Sequence, residues 1–186
     1  MVKSRDMLLV VIDMQNGFLG SRTRHIIPNV VRMVEEFNKR NLPIIFTRFH
    51  NEPDSPYERL IGWTRLRYSP ETDLTSELEP FARSIIDKNV YTAFTPEFTE
   101  RLASEGWTKI VLCGVATDSC VLKTAVDAFE RGLTPMVIED ACSSHGGEDV
   151  HKAGLLLLGR FIGKAQIMNM EEMVNWIDEQ RDSEQS

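Results

Sequence analysis

The chain is poor in cysteine: Cys113, Cys120 and Cys142 are the only three among 186 residues, an odd number with no C-x-x-C spacing. That argues against a disulfide framework, and more strongly against a thiolate zinc knuckle. Basic residues are outnumbered, 21 Lys and Arg against 28 Asp and Glu, for a formal charge of −7. Phosphate binding needs a basic face, so nucleic acid is not an expected partner. No apolar stretch approaches the roughly 18–20 residues that cross a bilayer, and no membrane partner is expected. Met1-Val2-Lys3-Ser4-Arg5-Asp6 passes straight into an apolar run with no small-residue cleavage site after it, a poor fit to a secretory signal. A reducing cytoplasm is the expected location. No internal repeat is present.

What remains is an ordinary globular composition, 42% hydrophobic and 26% charged, which excludes collagen-like, low-complexity and largely disordered chains. The length fits one domain over residues 1–186 with a sizeable core. Short apolar, β-branched runs alternate with helical patterns. Residues 7–12 (Met-Leu-Leu-Val-Val-Ile) are apolar on both faces, as a central parallel strand is. Val30, Val31, Val34 and Phe37 then recur at helical spacing, and residues 43–49 read as the next strand. Thr95-Pro96-Glu97 reads as an N-cap and first turn, with the helix stopping at Gly106. Residues 109–115 read as a strand, Asp118 as the cap of a helix ended by Gly132, and 135–139 as another strand. A helix over 149–158, a short strand over 165–168, and an Asn169-capped helix through Trp176 complete the pattern, with a polar tail over 179–186 expected to fray. This alternation predicts βαβ crossovers: an α/β fold with a mostly parallel sheet and helices on both faces. Residues 51–80, with four prolines, three arginines and three aromatics, lack a period. A connector of about 30 residues suits a functional cap or an oligomer contact.

In an open parallel sheet, ligands bind beyond the carboxyl ends of the strands. Asp13, Lys88 and Cys120 each fall just at or past such an end. Each also has a bland reading: a turn carboxylate, a surface lysine, a small core filler. Cys120 stands out because a thiol in the first turn of a helix feels unpaired N–H groups that favour the thiolate. Cys113 lies mid-strand, and Cys142 in a loop beside Ser143, Ser144 and His145. Nucleophilic catalysis also needs a base and donors for the oxyanion. Asp13 suits the base, Lys88 a stabiliser of both charges, and the backbone N–H groups around Ala116 to Cys120 the donors.

Ile12-Asp13-Met14-Gln15-Asn16, Lys88-Asn89-Val90-Tyr91-Thr92-Ala93-Phe94 and Gly114-Val115-Ala116-Thr117-Asp118-Ser119-Cys120-Val121 resemble the three signature stretches of the isochorismatase-like cysteine hydrolases. Asp140-Ala141 and the turn Ser143-Ser144-His145 also match, so the likeness runs in order over nearly the whole chain. The resemblance implies a three-layer, Rossmann-like sheet ordered 3-2-1-4-5-6, an Asp13–Lys88–Cys120 triad, and a cis Val115–Ala116 peptide. It further implies an oxyanion hole from the Ala116 and Cys120 N–H groups, and hydrolysis of a small amide, ureido or carbamoyl compound through a thioester. Isochorismate hydrolysis itself proceeds in the family without this cysteine, so Cys120 favours the amidase branch. The family's nicotinamidases bind zinc through an Asp two residues before a His, with a second His soon after. Here that stretch reads Arg48-Phe49-His50, with no further His until His145, so no metal and no cofactor are expected. Gly17 stands where an acidic residue is common.

Gln15, Phe18, His50, Trp63, Tyr91, Phe94 and Thr117 are candidate substrate contacts, with Phe18 and Phe94 equally suited to plain core and Trp63 to a subunit contact. Arg65 or Arg67 suits a substrate carboxylate, or else a solvated or interfacial site. His145 and His151 read as a turn residue and a helix-surface residue. Family likeness and the residues at 51–80 make self-association, as a homodimer or homotetramer, the expected assembly. Two rival readings are a catalytically silent binding or scaffold protein of the same fold, and a metal-assisted, nicotinamidase-like amidase centred on His50.

Overall fold

A computed structural model describes residues 6–185; the opening Met1 to Arg5, read above for a signal, lies outside the described residues. Six parallel strands form one sheet in the order β3-β2-β1-β4-β5-β6. The strands are β1 (Met7–Ile12), β2 (Ile44–Phe49), β3 (Ile85–Lys88), β4 (Lys109–Val115), β5 (Thr134–Ser143) and β6 (Ile167–Met168). Between and after them run α1 (Ile27–Lys39), α2 (Pro56–Ile61), α3 (Pro96–Glu105), α4 (Leu122–Glu130), α5 (Glu148–Leu158) and α6 (Met170–Gln185).

β1 is buried along its whole length because its two faces feed two cores. Met7, Leu9 and Val11 point into a cluster with α1 and α6, through Val34, Phe37 and Met173 among others. Leu8, Val10 and Ile12 point the other way, towards Phe98 of α3, Ala125 of α4 and Leu158 of α5. Period-2 alternation on a strand apolar at every position requires helices on both sides. The result is the three-layer α/β arrangement the sequence pattern predicts.

Helix boundaries follow local chemistry. Thr95 Oγ1 accepts the Phe98 N–H at 3.2 Å, Pro96 occupies the first turn, and Gly106 closes α3 at φ +73°. Asn169 and Glu172 cap α6 reciprocally: Glu172 N–H donates to Asn169 Oδ1 and Asn169 N–H to Glu172 Oε2, both at 2.9 Å. The backbone of α6 continues to Gln185, so the stretch after Asp178 extends the helix where fraying was expected.

Two further expectations are corrected. β5 runs on to Ser143 instead of stopping at 139, which places Cys142 in the strand, opposite Gly114. Asp140 does not end the strand because its side chain turns outward to accept the Met170 N–H at 2.8 Å. Asp118 caps no helix. After Val115 the chain makes a π-helical turn over Thr117–Val121 before α4 begins, and no side chain caps that turn.

Residues 51–80 wrap over the carboxyl ends of β1 and β2. Ser55 caps the short α2, which Gly62 ends at φ +67°. Leu66, fully buried, fills the space beside Gly17: a Cβ there would stand 2.4 Å from Leu66 Cδ2 and 3.0 Å from the Glu71 carbonyl oxygen. The glycine in the signature stretch is thus the residue that lets this segment close down. Leu60, Ile61 and Tyr68 remain exposed on its outer side.

Gly114 governs the approach of β1 and β4. It sits at φ +116°, and a Cβ there would stand 2.2 Å from the Ile12 carbonyl oxygen. Gly114→Ala is therefore expected to destabilise the protein by about 2–4 kcal/mol. A urea midpoint unchanged from wild type would contradict this account of the β1–β4 contact.

Candidate active site

Strand register alone brings three signature stretches to one rim. Ile12 pairs with Gly114 and Phe49 with Lys88, so Asp13, the β3 end and the turn after β4 share the carboxyl edge of the sheet. Asp13 leaves β1 in a left-handed conformation, φ +49°, and is fully buried. Its Oδ1 accepts the Thr47 hydroxyl at 2.6 Å, while its own N–H donates to Thr47 Oγ1 at 3.2 Å. Its Oδ2 accepts Lys88 Nζ at 2.6 Å. Lys88 starts two strands away, about 10 Å at ordinary strand spacing, and its long stem crosses the Phe49 ring, with Nζ 5.3 Å from the centroid.

The turn after β3 folds back so that Lys88 Nζ also donates to the Val90 and Tyr91 carbonyls at 3.0 and 3.2 Å. Cys120 Sγ lies 3.7 Å from the same nitrogen. Burial works against the ammonium, but the facing Asp13 and Cys120 outweigh it and raise the Lys88 pKa. Lys88 and Asp13 thus form a buried ion pair.

Cys120 differs from expectation in its resting state. Burial pushes its thiol up to about 12; Lys88 lowers it, Asp13 raises it again. A π-helical turn sealed among side chains desolvates the sulfur more than backbone N–H groups favour the anion, so the resting group is a neutral thiol. Cys142 is pushed up to about 12 as well, and Cys113 well above its ordinary value, both chiefly by burial. Only Cys120 of the three borders an open cavity.

That cavity, of about 380 Å³, is lined by the rings of Phe18, Phe49, Tyr57, Trp63, Tyr91 and His145, together with Ala116, Asp118, Cys120, Gly17, Ile61 and Arg65. Phe18 and Trp63 stack with centroids 5.8 Å apart and planes 6° from parallel. Tyr57 meets Phe49 and Tyr91 edge-on at 5.0 and 5.2 Å. Burial pushes the Tyr57 phenol up to about 12, so it stays protonated. The walls suit a flat, apolar body, with few polar groups to orient it. The Val115–Ala116 peptide in its lining is cis.

Among the candidate contacts, Phe18, Trp63, Tyr91 and Arg65 border the cavity. Gln15, His50, Phe94 and Thr117 do not. Gln15 is fully buried and binds backbone: its Nε2 donates to the Phe49 and Thr72 carbonyls, both at 2.9 Å, and its Oε1 accepts the Phe49 N–H at 2.7 Å. His50 faces Asp87 at 3.2 Å on the outer side of the sheet edge. Phe94 packs into the α3 side of the core against Phe98 and under Arg131. Thr117 holds the π-helical turn to α5 through His151 Nδ1 at 2.7 Å, so His151 is more than a surface residue. Arg67 pairs with Glu58 at 2.6 Å, away from the cavity.

The residues around His50 do not fit the zinc site of the nicotinamidases. The Arg48 guanidinium takes both oxygens of Asp87, at 2.8 and 3.0 Å, which places a cation beside the imidazole. Among the described residues no group of three His, Cys, Asp or Glu side chains is arranged to hold a metal ion. None of their helices is long and apolar enough to cross a membrane.

Sequence reading missed Thr47, Phe49, Tyr57, Asp118 and His145. A lone hydroxyl inside the apolar run Ile44–Phe49 was the available signal for Thr47. For His145 it was the Ser143-Ser144-His145 turn.

A parallel sheet that gathers a carboxylate, an ammonium and a thiol at one rim is the architecture of a known hydrolase class. Residues 7–167 match the Isochorismatase domain, and the chain belongs to the isochorismatase family. It is 27% identical over 173 residues to Nicotinamidase 3 of Arabidopsis thaliana, covering 89% of this chain and 85% of that one. With the ureidoacrylate amidohydrolase of Acinetobacter baylyi it shares 26% over 192 residues, 83% of this chain and 78% of that one. The crystal structure of an isochorismatase-like hydrolase from Alkaliphilus metalliredigens superposes with a TM-score of 0.81 at 24% identity, covering 91% of this chain and 98% of the other.

Native protein treated with iodoacetamide is expected to label Cys120 alone, with Cys113 and Cys142 reacting only after denaturation. Because the thiol is held above its ordinary value, the rate is expected to climb between about pH 7 and pH 10 without a plateau, as the thiolate fraction grows. Mass mapping that finds Cys142 alkylated as fast as Cys120, or a rate already flat at neutral pH, would refute this picture.

Proposed function

We propose that the protein is a cysteine-dependent, metal-independent hydrolase of a small non-peptide C–N bond: amide, ureido or carbamoyl. The observation that carries this reading is the contact set Asp13–Lys88–Cys120, with Lys88 Nζ 2.6 Å from the carboxylate and 3.7 Å from the sulfur, and with Cys120 lining a cavity.

The chemistry follows from the charges. The substrate carbonyl docks over Cys120 with its oxygen towards the Ala116 and Cys120 N–H groups, which act as the oxyanion hole. As sulfur attacks, Asp13 takes the thiol proton, so a thiol that is neutral at rest becomes a nucleophile only in the reacting complex. The C–N bond breaks, and Asp13 returns the proton to the departing nitrogen. Water then attacks the thioester, with Asp13 accepting its proton. The second tetrahedral intermediate expels sulfur, which regains the proton. Lys88 keeps its proton throughout and offsets the negative charge that moves between carboxylate and sulfur. Thr47 acts through Asp13 as a positioning residue.

Two relatives, named as a nicotinamidase and a ureidoacrylate amidohydrolase, support a C–N bond as the target. The exposed α2 with Leu60, and the exposed Tyr68, also support self-association as a homodimer or homotetramer, readable by light scattering against the 21.2 kDa chain.

Screening ureido, carbamoyl, aliphatic and heteroaromatic amides for ammonia release is expected to find a substrate, and Cys120→Ala to abolish its turnover. Retention of more than about 1% of the rate sinks the thioester route. Thr47→Val is expected to lower kcat about 10–100-fold with KM nearly unchanged; a change confined to KM would remove Thr47 from the positioning role.

A further inference from the structure

Beside the cavity over Cys120 lies a second one of about 370 Å³, formed by residues 16–23 together with Arg65 and His145. Gly17, Phe18, Arg65 and His145 border both, so the two spaces are neighbours with these four residues between or beside them. Gly17 puts no side chain between them.

The second space has an uneven charge. No acidic residue lines it, while two arginines do. Arg65 is already matched: its Nε and Nη2 lie 2.9 and 2.8 Å from one Glu71 oxygen. Arg22 is not. Its Nη1 donates to the His145 carbonyl at 3.2 Å, and among the described residues no carboxylate pairs with it. The Arg22 backbone carbonyl accepts the Ser143 hydroxyl at 2.9 Å, and the exposed side chain runs past Gly147, which has no side chain to obstruct it. A guanidinium that lines a cavity with several N–H donors unused is suited to a planar anion.

We infer that this second cavity is the tail subsite of the hydrolase, and that its substrates carry a carboxylate remote from the scissile C–N bond, with Arg22 as counter-ion. The inference rests on the amidase reading for its catalytic half only. The reacting carbonyl sits over Cys120, the connecting chain passes Phe18 and His145, and the carboxylate reaches Arg22.

The test uses monoamides of linear dicarboxylic acids, from malonic to adipic, against neutral primary amides of equal length. In the wild-type protein kcat/KM is expected to favour the best-fitting monoamide at least about tenfold over its neutral match, which is about 1.4 kcal/mol. Arg22→Gln is expected to erase that preference, and Arg22→Lys to restore part of it. Calorimetric titration of Cys120→Ala with the same pairs reads the subsite without turnover: binding of the monoamides, weakened at least tenfold by adding Arg22→Gln, supports it even if no amide is hydrolysed. Three results overturn it. These are no preference for the charged series in turnover or binding, a preference that survives Arg22→Gln, and Arg22-dependent binding of inorganic phosphate that leaves monoamide binding undisturbed.

Discussion

A carboxylate and an ammonium with no solvent exposure, Asp13 and Lys88, meet at 2.6 Å inside this protein, and much of the surrounding structure exists to make that tolerable. Taking both charges out of water costs several kcal/mol each, and their attraction offsets this only when their remaining hydrogen-bonding positions are filled. Here Thr47 fills one from β2, and the Val90 and Tyr91 carbonyls fill two more from the turn after β3. The partners come from two pieces of the chain remote from Asp13, β2 and the turn after β3. The order of the sheet, the register of β1 with β4, and the backfolded turn after Lys88 are thus one problem with one solution.

The same burial sets the state of the sulfur. Cys113, Cys120 and Cys142 are all enclosed and all have thiols pushed upward. What separates Cys120 is its company: an ammonium, a carboxylate able to accept a proton, and a space for a substrate. A sulfur protonated at rest meets electrophiles and oxidants only through its small thiolate fraction, which burial keeps low.

The architecture was legible because it depends on short-range pattern. Runs apolar on both faces, such as Met7–Ile12, have few folds open to them, and Pro96, Gly106 and Asn169 mark helix ends through local backbone chemistry. The meeting of Asp13, Lys88 and Cys120 was legible through three signature stretches, each at a strand end. The lining was much less so. Gln15 and Thr117 lie within those stretches and suggest substrate contact, yet their polar atoms are consumed by backbone and by His151, through bonds 34 to 57 residues long in sequence. Phe94 looks like a pocket aromatic, and only the side of the sheet on which it falls decides otherwise. Asp140 and Asp118 misled for the opposite reason. A charge or a cap-forming residue is a local signal, and tertiary partners overrode it: the α6 N-terminus took Asp140, and the π-helical turn left Asp118 without a capping bond.

Gln15 has one more effect on the molecule. Its amide grips both the N–H and the carbonyl of Phe49 and also the Thr72 carbonyl, so the exit of β1, the exit of β2 and the far end of the 51–80 segment are riveted at one buried point. A roof anchored this way cannot hinge upward without leaving an amide and three backbone groups stranded away from water. The cavity over Cys120 therefore keeps one shape on the side that this segment covers.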